Sequence, residues 1–329
     1  MRTVKLWQNA FLFFLFFVYG FSFSQVPETD ISNGILEAKI YPPDQTKGYY
    51  QGTRFDWSGV IAELSYKGHS YFGKWFEKYD PKIHDAITGP AEAFNPIGFE
   101  EAKPGETFVK IGVGNLIKPD DKAYRFTVPY EVEDYGKWTV KEKKSQVEFV
   151  HELTDASGYS YVYRKTLKLV KGRPELVLEH SLENTGNKKI ETQVFNHNFF
   201  MIDNQKIGPD YSLTFPFSLA LKDNSRGVGD IVEIQNNKME FLREINQGEH
   251  VMLFFEGFNQ DAKDYDIVIE NSKTGAGVRI TSDQSMSSLA FWSIQTTLCP
   301  EPYQTIVVEP GQITSWNIKY EFLSKRTDK

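Results

Sequence analysis

Forty residues in the middle of the chain, YVYRKTLKLVKGRPELVLEHSLENTGNKKIETQVFNHNFF (161–200), constrain the fold more than any other stretch. Tyr161 to Val170 alternates, KGRP (171–174) turns the chain, and Glu175 to Glu183 alternates again. NTGNKK (184–189) makes a second turn, and Ile190 to Phe200 forms a third run. Period-two alternation sends side chains to opposite faces of a half-buried strand, and short turns join antiparallel neighbours. An antiparallel meander is therefore expected here. DIVIEN, GVRITSD, SLAFWSIQ, TIVVEP and ITSWNIKYEF continue the style toward the C-terminus, with KTGAG and EPGQ as turns. Turn signals about every ten residues point to an all-β sandwich or barrel rather than βαβ units. KMEFLREI (238–245) is the one segment read as one or two helical turns.

The first 25 residues, MRTVKLWQNAFLFFLFFVYGFSFSQ, have a basic start, an apolar run from about Ala10 to Phe21, and small residues before Gln25. They are expected to be a secretory signal peptide. The apolar run is shorter than the roughly 20 residues of a membrane span, and no cysteine follows it for a lipid anchor. The expected location is periplasmic or secreted, with no membrane association after cleavage. Residues 26–329 carry no low-complexity linker and are expected to form one large domain. A single cysteine, Cys299, excludes an intrachain disulfide, so the core alone must hold the fold. The net charge of −7 argues against a nucleic-acid or anionic-membrane partner.

No HExxH, Cys/His cluster, P-loop, GxSxG or dinucleotide glycine motif occurs, so no metal or cofactor is expected. The region 49–94 mixes Tyr, Trp, Phe and Gly with Arg54, His69, His84 and Glu92. Such a mixture suits a sugar cleft, where rings stack on a pyranose face and polar groups fix its hydroxyls. It equally suits a cover over the end of a sandwich. Of the six histidines, His180 shares a strand face with Leu176, Leu178 and Leu182 and reads as structural. His151 and His250 read as surface residues. His197, at the centre of VFNHNFFMID, is either a core histidine satisfied by carbonyls or a general acid or base. Alternation sends Asn196 and Asn198 to the face opposite it. Glu301 in LCPEPYQ lies between two prolines, and is either an exposed turn residue or a rigidly presented base.

Taken together, Asn196-His197-Asn198-Phe199-Phe200, Cys299-Pro300-Glu301-Pro302, the Pro310-Gly311 turn and the final Tyr320-Glu321-Phe322 resemble the galactose mutarotase (aldose 1-epimerase) superfamily in kind and order. The resemblance implies a large antiparallel β-supersandwich with a mono- or oligosaccharide in a cleft on one sheet. It implies Glu301 as the base on the anomeric hydroxyl and His197 as the acid on the ring oxygen. Arg54 in GTRFDWSG matches the family's early arginine. His84 is the best substitute for a second histidine whose usual HGG-like setting is missing, with His69 behind it. Asn196 and Trp292 complete the expected sugar contacts, and Asp264 and Asp266 compete for the family's substrate-gripping aspartate. Two other functions stay open. One is elimination across a uronic acid, for which Arg54, Lys110, Asn196, Asn198 and His197 could serve. The other is carbohydrate binding without catalysis.

Overall fold

The computed structural model describes residues 26–325; the expected signal peptide lies outside the described residues. Every strand pairing between its named strands is antiparallel, and two large sheets dominate. The rear sheet has ten strands, with Glu175–Asn184 between Tyr161–Leu169 and Ile313–Ser324 at its centre. The front sheet has six, in the spatial order Ala220–Leu221, Val251–Glu256, Ser288–Ile294, Thr297–Val308, Ile190–Phe199 and Gly89–Phe94. Two smaller sheets flank them, one of four strands from Thr29 to Ser70 and one of three from Thr107 to Asp134.

The three strands form where alternation places them, as Tyr161–Leu169, Glu175–Asn184 and Ile190–Phe199, but only the first two pair, so the expected meander is corrected to a hairpin. The third strand leaves the rear sheet and joins the front one, so the chain crosses from one layer to the other at NTGNKK. Apolar side chains of both layers meet between the sheets. Leu167, Leu178, Leu182 and Ile318 of the rear sheet belong to one core with Val194, Phe200, Leu289 and Phe291 of the front sheet. Removing this surface from water is the main stabilising contribution, and it fixes register because a one-residue slip would reverse every side chain.

Two local readings are corrected. Lys238–Phe241 is a strand hairpinned to Val232–Gln235, not a helical turn. Met239 and Phe241 are buried while Lys238 and Glu240 are not, so the local period is two. Asn236 supplies the positive φ of 58° that such a turn needs. His151 is a core residue, not a surface one: its ring stacks on Trp138 at 4.2 Å, and its two nitrogens meet the Tyr135 carbonyl and the Tyr161 hydroxyl. Burial pushes its pKa down to about 4.

A charged cluster lies buried between the layers. Lys165 of the rear sheet contacts Glu92 of the front sheet and stands 3.6 Å from Asp56. His180 adds its Nε2 to Glu92 at 3.1 Å and lies flat on Trp316 at 4.8 Å, which makes it the structural histidine expected.

Candidate active site

The outer face of the front sheet carries a second apolar layer built from the irregular segments, with Tyr50, Phe55, Trp57, Phe99 and Phe108 at its heart. The aromatic region 49–94 divides between two places. Part of it covers the sheet, and part borders a cleft of about 440 Å³ lined by Arg54, Lys110, His197, Trp292, Glu301 and Tyr303 among others. That volume is in the range of small-molecule sites. A larger cavity of about 820 Å³, bordered by Lys39, Glu63 and Lys144, lies elsewhere and has no histidine in its wall.

His197 and Glu301 come from adjacent strands, 104 positions apart in sequence, and meet with His197 Nε2 3.2 Å from Glu301 Oε1. Both are about 4% exposed. The proline-flanked carboxylate is therefore not an exposed turn residue but sits within the strand Thr297–Val308. The prolines explain how. This strand pairs with the histidine strand from Ile190↔Val308 to Phe195↔Tyr303, and again at the bridge Phe200↔Leu298. Between these points there is no ladder. Residues 298, 300 and 302 turn their backbone groups toward the histidine strand, as the Leu298 and Phe200 amide bonds show, and proline has no N–H to give.

The gap is bridged by side chains. Asn198 Nδ2 donates to the Pro300 carbonyl at 2.8 Å. Tyr320 of the rear sheet donates its hydroxyl to Asn198 Oδ1 at 2.7 Å and accepts from Asn196 Nδ2 at 2.9 Å. Asn196 therefore points into the sandwich and does not join the cleft, which corrects its expected sugar contact; strand alternation is the reason. Tyr320→Phe should cost about 1–3 kcal/mol by leaving both buried carboxamides short of a partner. An unchanged urea midpoint would show that the carboxamides re-pair without it.

Arg54 lies in the cleft, its guanidinium 4.6 Å from the Phe55 ring centre and 4.1 Å from that of Phe126, and ion-paired to Asp85. Burial works against the Asp85 charge, but a hydrogen bond from His84 and the Arg54 guanidinium hold its pKa below the ordinary value. His84 reaches Asp85 at 3.1 Å from Nε2 and packs beside Phe126, so it supports the arginine pair from the rim. His69 is elsewhere, bonded to Asp203 at 2.9 Å. Asp264 bonds Asn259 and Asp266 pairs with Arg279; neither borders the cleft. The aspartate that borders the cleft is Asp85, and its only sequence signal was its place beside His84 in KIHDAITG. Trp292 forms one wall and stands edge-on to His197 at 5.6 Å. It also borders a neighbouring depression of about 540 Å³ with Trp75, Phe76 and His250.

Burial sets the electrostatics. It raises the Glu301 carboxyl to about 7 against the opposing pull of Arg54, and Tyr303 contributes a hydrogen bond to the carboxylate. Burial, with Arg54 adding repulsion, pushes His197 well below the usual imidazole value. Phe199 stacks on the imidazole at 4.0 Å and Phe55 meets it edge-on at 5.8 Å. The ring is thus held on its faces by hydrocarbon and turned toward the carboxylate. Among the described residues no group of acidic, histidine and cysteine side chains is arranged to hold a metal ion. No helix among them is long and apolar enough to cross a membrane.

No family model and no curated protein matches the chain by sequence. Solved structures do match by shape. One is the GalM/aldose epimerase homologue from C. elegans, with 15% identity, 91% of this chain and 99% of that one covered, and a TM-score of 0.56. A galactose mutarotase-like protein from Clostridium acetobutylicum aligns at 16% identity over 90% and 94% of the two chains, with a TM-score of 0.55. Another from Lactobacillus casei aligns at 14% identity over 90% and 100%, with a TM-score of 0.52. At such identities likeness speaks for architecture, and chemistry must be argued from the cleft itself. With two facing antiparallel sheets matched along nearly the whole of each chain, this protein has the galactose mutarotase-like β-sandwich fold.

Proposed function

We propose that the protein is an exported aldose 1-epimerase, with Glu301 and His197 as its base and acid. The observation that carries this reading is their 3.2 Å contact inside a cleft. Anomer exchange needs a proton removed from O1 and a proton delivered to the ring oxygen O5, and both oxygens are bonded to the same carbon. Acid and base must therefore be neighbours, and these two are.

Glu301 takes the O1 proton, the O1 electron pair forms the carbonyl, the C1–O5 bond breaks, and O5 receives a proton from His197. Rotation about C1–C2 and the reverse sequence give the other anomer, with no net change in the enzyme. The pair must hold one proton at the start. With that proton on His197 an acid and a base stand ready together; burial favours the alternative with both groups neutral. Arg54, fixed between two rings, and Trp292 hold the sugar in place.

The test is NMR exchange spectroscopy on freshly dissolved aldoses; no acceleration over the buffer rate for any of them sinks the reading. The pH dependence follows from the pair. Its last proton leaves at about 7, mainly because burial raises Glu301, so kcat/KM should be level just below that pH. Above it the rate should fall about tenfold per pH unit. A rate that instead rises through neutrality would show that the acid is some other group.

A further inference from the structure

Among the described residues, Lys110 is the cation of the cleft whose charge no acid answers. It ends the strand Thr107–Lys110, is 2% exposed, and borders the cleft. Its Nζ donates to the Phe94 carbonyl and lies 5.5 Å from the Tyr124 ring centre. Among the described residues no carboxylate pairs with it; the charge it feels is the repulsion of Arg54. The other buried or partly buried cations differ. Lys165 has Glu92 and Asp56, Arg54 has Asp85, and Lys118 is held by two carbonyls, those of Phe99 and Ala102. An ammonium carries three N–H donors, and Phe94 uses one of those on Lys110.

Burial and Arg54 together bring Lys110 down to about 7. A charge desolvated this far is costly unless paired, and a neutral sugar would leave it so. We propose that the cleft takes a sugar that itself bears a carboxylate, a uronic acid, with its carboxylate seated on the Lys110 ammonium. Arg54 is already paired with Asp85, so the cleft offers at most one unpaired positive charge. That suits a carboxylate monoanion better than a phosphate dianion. This inference rests on reading the cleft as a sugar site.

Matched pairs test it, because glucose and glucuronate, galactose and galacturonate, and mannose and mannuronate differ only at C6. Each would be titrated calorimetrically into the wild-type protein and into Lys110→Met, with glucose 6-phosphate as a further ligand. At least one uronate should bind about tenfold more tightly than its neutral partner (about 1.4 kcal/mol). In Lys110→Met that ratio should fall to near one. Near pH 8, uronate binding should take up protons in both the wild type and Glu301→Gln, which lacks the other cleft group that titrates near 7, read from the dependence of the heat on buffer. This readout stands even if Lys110→Met does not fold. Parity within every pair, absence of uronate binding, a preference that survives in Lys110→Met, no proton uptake, or tighter binding of glucose 6-phosphate each overturns the inference. Anomer exchange on the same six sugars is scored separately. Accelerated exchange without uronate preference removes only this inference, and uronate preference without exchange removes only the epimerase reading.

Discussion

Replacing Glu301 by Gln should lower kcat for anomer exchange by about 10²–10⁴-fold, the usual contribution of a positioned acid or base. The carboxamide has nearly the same shape and can still meet His197 Nε2, but it cannot accept the O1 proton. Because the lost interaction belongs to the transition state, kcat and kcat/KM should fall together with KM little changed. Progress curves from fresh α-anomers, with sugar binding followed by Trp292 fluorescence, check both parts. Turnover within about threefold of wild type would remove Glu301 from the role of base. Since Glu301 is buried with its charged form disfavoured, the substitution should not unfold the protein. Its Tm should match or exceed that of the wild type.

The largest expected effect on stability comes from the other side of the front sheet. Glu92→Ala leaves Lys165 and His180 without the carboxylate that both contact. Breaking a buried pair by removing one partner typically costs about 3–5 kcal/mol, and the urea midpoint should drop accordingly with the slope unchanged. A loss below about 1 kcal/mol would show that Asp56, 3.6 Å from Lys165, takes over the pairing.

The cluster also predicts a shape in pH. Burial opposes the Glu92 charge, but Lys165 and His180 outweigh it and hold the carboxyl at about 2, below its ordinary 4.5. Its stabilisation is therefore complete above 4.5 and is lost as pH falls toward 2. Asp56 behaves oppositely. Burial raises it to about 6 from 3.8, so its contribution is complete below 3.8 and is lost as pH rises through 6. Glu92→Ala should reduce the acid limb of the stability curve and, because the Glu92 charge helps to raise Asp56, weaken the other limb as well.

Much of this was legible in the residues alone, and what was not has a physical reason. Alternation in 161–200 set out three strands to within a residue or two, because a sheet with a buried face enforces period two. The same rule placed Asn196 away from His197. At Glu301 the residues alone left a turn and a presented base both open, because two prolines resemble a turn; only the neighbouring strand reveals that their missing amides face a gap. Asp85 escaped notice because a place beside His84 does not by itself mark an aspartate that an arginine 31 positions earlier will hold. The isolation of Lys110 was equally invisible, since the absence of a partner is a property of the assembled cleft. His151 was misjudged because its charged neighbours in sequence lie on the other face of its strand.

The unladdered stretch between the histidine and glutamate strands has a consequence for how the cleft can be tuned. Where a ladder runs, backbone hydrogen bonds dictate how far apart two strands stand. Between residues 196–199 and 299–302 that rule is suspended, and the opening is spanned by Asn198 and by a tyrosine reaching across from the opposite sheet. The distance between acid and base is thus governed from behind. Substitutions at Tyr320 or its neighbours would retune the spacing of His197 and Glu301 as a screw at the back of an instrument adjusts a slit at the front.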